Sequence, residues 1–442
     1  MRGFSRMDRI WALALAAAVS GFAANALTPA EQKAGWVLLF DGVNLKDHWK
    51  MGENGKDADW DPATSWNILD SSLHLVKRPE EHMIFSKDTY TDFEYALDFK
   101  MGDQGNSGIF FRVTSPPGWF CSGSEYALLD DPTGGDKEER SKNPADKLPG
   151  SGLGAYVKRT GANYDMYPTT KGGVLGGQYY DSTIYQPTPK WNHAEVWANG
   201  MFVEHWLNGQ KVVDYETGSA DWEARFKLSK FYDQCSAYRT TWSKNKSGIL
   251  GMQGHGNNLE QWFKNLKVRP FTPGEKLNSP LITPNGGSFP GPVTVILDPA
   301  IVGSTVRYTL DGSDPTATSP IYKDSLKITA SGTIKTRTYR DKFQASDVST
   351  ATFTLAGSDI RAYLAKVRPR FSLSLSGKSL VLDNESGKPF DLEVTDVFGR
   401  TKIAYATAGL KSELPMRGLQ TGVYFVKLRA GEWSAIGKVF LP

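Results

Sequence analysis

Short runs in which apolar and polar residues alternate recur between Gly35 and about Phe271, among them FEYALDFKM, SGIFFRV, SEYALLDD, AEVWANG and MFVEHWLNGQKVVDYE. Successive side chains of an extended chain point to opposite faces, so a period of two with frequent turns predicts an antiparallel all-β sandwich. The LNGQ segment is the clearest hairpin, because Asn208-Gly209 supplies the positive-φ residues of a tight turn between twisted strands. One stretch breaks the period. GSADWEARFKLSKF reads as a helix, with Ser219 as N-cap, Asp221 and Glu223 near its start and Lys227 and Lys230 near its end.

The Pro-, Gly- and Ser-rich stretch FTPGEKLNSPLITPNGGSFPGP closes this domain. Beyond it, VTVILD, TVRYTL, LKITA, TIKTRTYR and TATFTL predict a small immunoglobulin-like sandwich. After the connector AGSDIRAYLAKVRPR, a third alternating set (SLVLD, FDLEVTDVFGR, GLQTGVYFVKLRAG, SAIGKVFLP) predicts another. The expected organisation is a leader at 1–26 and domains at 27–276, 277–360 and 361–442.

Composition sharpens this picture. At 442 residues the chain is too long for one ordinary domain. Arg2, Arg6 and Arg9 precede the apolar run IWALALAAAV, and Ala24-Asn25-Ala26 offers a small-residue cleavage site, so the first 26 residues read as a secretory leader. No later run approaches the roughly 20 apolar residues that span a bilayer. In an oxidising compartment the two cysteines, Cys121 and Cys235, are expected to form one disulfide, a free pair being the alternative. The formal net charge is +3, of which the leader holds +2, and so small a surplus argues against a nucleic-acid partner. Only residues 361–442 are basic, with 13 basic and 7 acidic side chains, which reads as a solvated face.

Candidate chemistry sits in three strands. In GNSGIFFRV, Ile109, Phe111 and Val113 share one face while Phe110 and Arg112 share the other. In SEYALLDD, Glu125 lies inside the strand and is expected to meet Arg112 across neighbouring strands. Asp130 and Asp131 stand just before Pro132, where a turn brings solvent near. In SGILGMQGHGNN, Gln253 and His255 point the same way from a glycine-flanked strand that lets a ligand approach. His205, in VEHWLNG, is a polar ring amid aromatic strands. Zinc-site spacing, a glycine-rich phosphate loop and a Gly-x-Ser-x-Gly elbow are all absent from the sequence.

Taken in order, GWVLLFDGVNLKDHW, GNSGIFFRV, EYALLDD, TGANYDMYPTTK, WNHAEVWANGMFVEHWLNGQKVVDYE, GSADWEARFKLSKF and GILGMQGHGNNLEQWFKNLKVRP resemble the 3-keto-disaccharide hydrolase family from about Gly35 to Pro270. The resemblance implies a concanavalin-like glucanase or lectin sandwich. It also implies 3-keto-glycoside chemistry, as hydrolase or 1,2-lyase/hydratase, in an exported protein. The family's recurring polar positions fall on Asn106, Arg112, Glu125, Tyr164, Asp165, His205, Gln253 and His255. Ala127 stands where members often carry Gln, and Gly254 where they carry Asp. YTLDGSDPTATSPIY with SGTIKTRTYR is similar to the C-terminal module of chitobiases, used as a spacer or for carbohydrate binding. VTDVFGR, LQTGVYFVKL and the last strand resemble the type A sorting domain of type IX secretion substrates. That last resemblance implies delivery to the surface of a Gram-negative bacterium, with the type IX machinery as partner.

In 3-keto-glycoside chemistry the ketone acidifies the proton on carbon 2, so the group on carbon 1 can leave by β-elimination. Such a site needs a base, an oxyanion stabiliser and an acid. The expected assignment is Glu125 or His255 as base, Arg112 as stabiliser, and His205 or Tyr164 as acid. Asn106, Tyr164, Asp165 and Gln253 would bind substrate. A divalent cation held by Asp165 and Asp131 is a second way to stabilise the oxyanion. The rival readings are a non-catalytic carbohydrate-binding lectin and a structural surface protein. No strand offers two glutamates on one face, which argues against a conventional glucanase.

Overall fold

The structure, a computed structural model, describes residues 24–441 apart from 54–55, 59–65, 76–81, 115, 132–158, 171–183, 256–259, 356–370, 377–378, 385–389, 408–410 and 431–432. Most of the predicted leader, 1–23, thus lies outside the described residues. Asn25, inside its expected boundary, donates to Ser71 O at 2.6 Å and exchanges two hydrogen bonds with Asn265.

The first domain is a two-sheet antiparallel sandwich. Its strands are β1 (Val37–Leu38), β2 (Trp49–Glu53), β3 (Lys56–Ala58), β4 (Trp66–Leu69), β5 (Ser72–Leu75), β6 (His82–Tyr90), β7 (Phe93–Met101), β8 (Asn106–Val113), β9 (Ser124–Leu129), β10 (Asn192–Asn199), β11 (Phe202–Leu207), β12 (Gln210–Glu216), β13 (Gly248–Gly254) and β14 (Gln261–Pro270). An eight-stranded sheet runs β12-β11-β10-β7-β14-β5-β4, with β1 against β14, and a six-stranded sheet runs β3-β2-β6-β13-β8-β9. Phe93, Tyr95, Leu97 and Phe99 of β7 face Ile109 and Phe111 of β8 and Leu250 and Met252 of β13 in one buried core. The period of two, read from sequence, is what fills this interior. The expected hairpin forms, with Asn208 at φ 48° and Gly209 at φ 75° between β11 and β12.

Two local expectations are corrected. The helix predicted to run to Phe231 stops at Leu228: α1 (Ala220–Leu228) is capped by Ser219, whose hydroxyl accepts from Trp222 N at 3.2 Å. Ser229 is extended, and a second short helix, α2 (Lys230–Gln234), starts at Lys230, whose N–H donates to Asp165 Oδ2 at 2.7 Å. A buried carboxylate therefore restarts the chain as a new helix in a new direction.

The other correction concerns β8. Arg112 adopts φ 55°, and the register with β13 shifts between Ile249 and Gly251. One left-handed residue breaks the alternation. Val113 then joins Phe110, Met83, Phe85 and Trp119 on the outer side of the six-stranded sheet, and does not share the face of Ile109 and Phe111. Gly248 permits the bulge, since a Cβ there would lie 2.3 Å from the Arg112 carbonyl carbon.

Residues 277–355 form two small sheets around Val295, Leu297, Val306, Ile334 and Phe353. This module packs on the outer face of the eight-stranded sheet: Glu94 accepts from Val302 N at 2.7 Å, and Arg340 pairs with Glu204 at 2.8 Å over the Trp197 ring. Residues 356–442 are a separate compact unit with a three-stranded and a four-stranded sheet around Leu382, Leu392, Val394 and Val426. Among the described residues no helix is long and apolar enough to cross a membrane. The expected all-β architecture holds throughout.

Candidate active site

β13, β8 and β9 are neighbours in the six-stranded sheet, and their outward side chains meet in a cavity of about 200 Å³. Gln253 and His255 come from the end of β13, Asn106 from β8, Glu125 from β9 and Tyr164 from the turn beside β9. These five were all expected at the site. The remaining wall is aromatic and cationic: Trp119 and Phe120 from the 3₁₀ segment Pro116–Cys121, and Lys230, Phe231 and Gln234 from α2.

Glu125 is placed by a missing side chain. A Cβ on Gly108 would lie 2.6 Å from Glu125 Oε1 and 2.8 Å from its Cγ, so the carboxylate occupies the space that glycine leaves on the adjacent strand. The Glu125 carbonyl accepts from Tyr164 N at 3.1 Å, which fixes the Tyr164 turn against β9. Ser107 Oγ donates to the Gln253 carbonyl at 2.6 Å and holds β13 beside β8. Asn106 is anchored through its carbonyl, which accepts from Gln261 Nε2. His255 is half-buried just past β13, and its Nδ1 has no hydrogen-bond partner among the described residues.

The aromatic wall is braced. Trp119 packs edge-on against Phe110 at 4.5 Å between centroids, and Trp242 stacks on Phe231 at 4.8 Å while donating to Phe120 O at 3.0 Å. The Cys121–Cys235 disulfide, as expected from the sequence, joins the 3₁₀ segment to the end of α2. Lys230 Nζ lies 4.6 Å from the Tyr164 ring centroid and 5.6 Å from that of Phe231.

Four residues expected at the site do not line this cavity. Arg112 does not meet Glu125: its Nε and Nη2 donate to Thr91 O at 3.2 and 2.7 Å, with Asp92 3.8 Å away. Its left-handed backbone turns the guanidinium off the cavity face, and burial pulls it below its ordinary pKa against the pull of Asp92. His205 lies in the core between the sheets, 4.8 Å from the Tyr126 ring, with Nδ1 2.9 Å from Gly161 O. Burial pushes its pKa down to about 4, so the imidazole is neutral and its proton is committed to a backbone carbonyl.

Asp165 is fully buried and accepts the Lys230 N–H at 2.7 Å. Asp131 accepts from Thr160 N at 3.0 Å at the far end of β9. The two carboxylates expected to share a cation thus have different partners, Asp131 on Thr160 and Asp165 on Lys230. Among the described residues no group of three or more His, Cys, Asp or Glu converges as a metal site. Asp130 is buried rather than near solvent, accepting from Gln104 N at 3.1 Å and Tyr185 Oη at 3.4 Å.

Trp119 and Phe120 lie in TSPPGWFCSG, which reads from sequence as an insertion at the rim of the cleft, whereas Lys230, Phe231 and Gln234 were not foreseen as lining residues. One signal was present, because the two cysteines flank these segments and their pairing brings them together.

Residues 35–269 match the family described as the 3-keto-alpha-glucoside-1,2-lyase-like domain, and residues 284–350 match the chitobiase/beta-hexosaminidase C-terminal domain. A 3-keto-disaccharide hydrolase of Bacteroides thetaiotaomicron is 24% identical over 259 residues, covering 53% of this chain and 78% of that protein. A candidate glycosyl hydrolase structure from Parabacteroides distasonis is 29% identical, covers 57% of this chain and all of its own, and superposes with a TM-score of 0.42. A carbohydrate-binding module from Bacillus subtilis is 13% identical over 46% of this chain and 91% of its own, with a TM-score of 0.27. With the first match spanning more than half of its residues, the chain belongs to the 3-keto-alpha-glucoside-1,2-lyase-like family, in the hydrolase-type enzyme class at the general level.

Proposed function

We propose that the first domain cleaves 3-keto-glycosides by elimination across carbons 1 and 2. The observation that carries this reading is the Glu125 carboxylate held over Gly108 in a cavity that it shares with His255, Gln253, Asn106 and Tyr164. Glu125 takes the carbon-2 proton. The C–H electron pair forms a carbon 2–carbon 3 double bond, and the carbonyl π pair moves onto the keto oxygen. When the carbonyl re-forms, the carbon 2–carbon 3 pair shifts to a carbon 1–carbon 2 double bond, the carbon 1–oxygen bond breaks, and its pair leaves on the aglycone oxygen, which His255 protonates. Addition of water to carbon 1, with a proton returned to carbon 2, completes a net hydrolysis; release before that step is a lyase outcome. Asn106, Gln253 and Tyr164 present polar groups to the sugar hydroxyls, and the aromatic wall offers its ring faces.

The test is aglycone release from a 3-keto-glucoside and from its unoxidised parent by the purified full chain. Release from the keto form alone is expected, and Glu125→Gln should lower it by roughly 10²–10⁴-fold, the range for a lost general base. Cleavage of the parent at an equal rate would refute the keto-directed mechanism, and binding of both without cleavage would make the cavity a lectin site.

We also propose that residues 1–26 direct export and that residues 361–442 address the protein to the surface through the type IX machinery. The basic start of the leader and the VTDVFGR and LQTGVYFVKL motifs support this reading.

A further inference from the structure

We propose that Lys230 supplies the cation that stabilises the oxyanion on the keto oxygen, an inference that rests on the keto-directed reading above. Removing a proton beside a ketone drives negative charge onto that oxygen. A preorganised cationic donor in a partly enclosed site stabilises it more than water does. Arg112, the cation that the strand pattern offered, is turned away into Thr91 and Asp92.

Among the described residues, Lys230 is the only lysine or arginine that lines the cavity. Its position is built rather than accidental. The backbone is pinned by the Asp165 carboxylate at 2.7 Å, and α2 is bridged by the disulfide to the 3₁₀ segment of the same wall. The ammonium lies 4.6 Å above the Tyr164 ring, and Tyr164 is itself bonded through its N–H to the Glu125 carbonyl. The base and the cation are thus referred to the same turn.

Three other lysines of the domain pair with carboxylates, Lys211 with Asp214 at 2.8 Å, Lys244 with Glu223 at 2.5 Å and Lys267 with Glu31, whereas Lys100 and Lys264 lie over tryptophan rings away from the cavity lining. Among the described residues the Lys230 ammonium has ring contacts and no ion pair, which leaves its N–H groups for an anionic oxygen.

The experiment isolates proton abstraction from bond cleavage. A 3-keto-1,5-anhydrohexitol has a carbon-2 proton but no aglycone on carbon 1, whose one oxygen is that of the ring, so proton abstraction is read from it apart from aglycone loss. Exchange at carbon 2 in D₂O is followed by NMR, beside aglycone release from a 3-keto-glucoside. The wild-type chain is compared with Lys230→Met, Lys230→Gln and Lys230→Arg. Rates are counted per folded molecule from the near-ultraviolet circular dichroism of the Trp222, Trp242 and Phe231 cluster.

The expected result is a fall of about 10²–10³-fold in both exchange and kcat for the two uncharged variants, with KM moving far less and Arg restoring part of the rate. Exchange at the wild-type rate in a folded uncharged variant would overturn the assignment while leaving the elimination reading intact. A wild-type chain that cleaves the keto-glucoside yet never exchanges carbon 2 would instead overturn the elimination reading, and the role of Lys230 with it.

Discussion

Gly108→Ala is the sharpest test of how the site is built, because it touches the carboxylate without altering it. The new methyl group would sit 2.6 Å from Glu125 Oε1, 2.8 Å from Cγ and 3.0 Å from Cδ, whereas ordinary contact begins at 3.4 Å. The side chain must therefore move by about 0.8 Å at the oxygen that takes the proton. Misplacing a reacting group by about 1 Å can cost 10²-fold in rate, so kcat is expected to fall by roughly 10–10². The obstacle is one buried side chain, its Cγ included, and no backbone, so the fold should lose about 1–3 kcal/mol. Gly248→Ala is the contrasting control. Its Cβ would lie 2.3 Å from the Arg112 backbone, which cannot yield, so that variant should lose stability. Steady-state rates on a 3-keto-glucoside and denaturant melts measure both effects. In a Glu125→Gln background, Gly108→Ala should cost almost nothing more, a coupling that a double-mutant cycle reads directly. A stable Gly108→Ala protein with full activity would refute the placement of the base over Gly108.

Three further outcomes are expected. His205 has a native pKa of about 4 against about 6.5 unfolded, so the unfolded chain takes up a proton that the native chain refuses. That contribution is intact above about pH 6.5 and is lost on acidification toward pH 4, by about 3 kcal/mol. His205→Leu should therefore flatten the acid limb of stability against pH in denaturant melts, and an unchanged slope would count against the buried neutral imidazole. Cys121→Ser with Cys235→Ser opens a link between residues 114 apart, and is expected to cost about 2–5 kcal/mol and to raise KM as the two halves of the aromatic wall loosen. An unchanged KM would show that the bridge does not shape the cavity. Removing residues 356–442, a separate unit, should leave the kcat/KM of the purified protein unaltered and abolish surface delivery, so normal delivery would defeat the sorting reading.

Much of this protein is legible from local sequence, because the physics there is local. Alternation alone locates β7, β8, β10 and β11, Asn208-Gly209 marks its hairpin, and Ser219 marks the start of α1. Glu125, Gln253 and His255 were readable as site residues because polar side chains interrupt strands at the face opposite the core. Tertiary structure decided the rest. A single left-handed residue sent Arg112 away from Glu125, and periodicity cannot foresee a bulge that depends on Gly248 of the neighbouring strand. His205 became a neutral core ring only because the second sheet and the Gly161 carbonyl close over it. Lys230, read from sequence as the basic end of one helix, begins another because Asp165, 65 residues earlier, caps its N–H and turns the chain toward the cavity. Strand period and turn chemistry act over a few residues, whereas the faces that bulges, caps and bridges select depend on partners distant in the chain, and those partners set which charges reach the cavity.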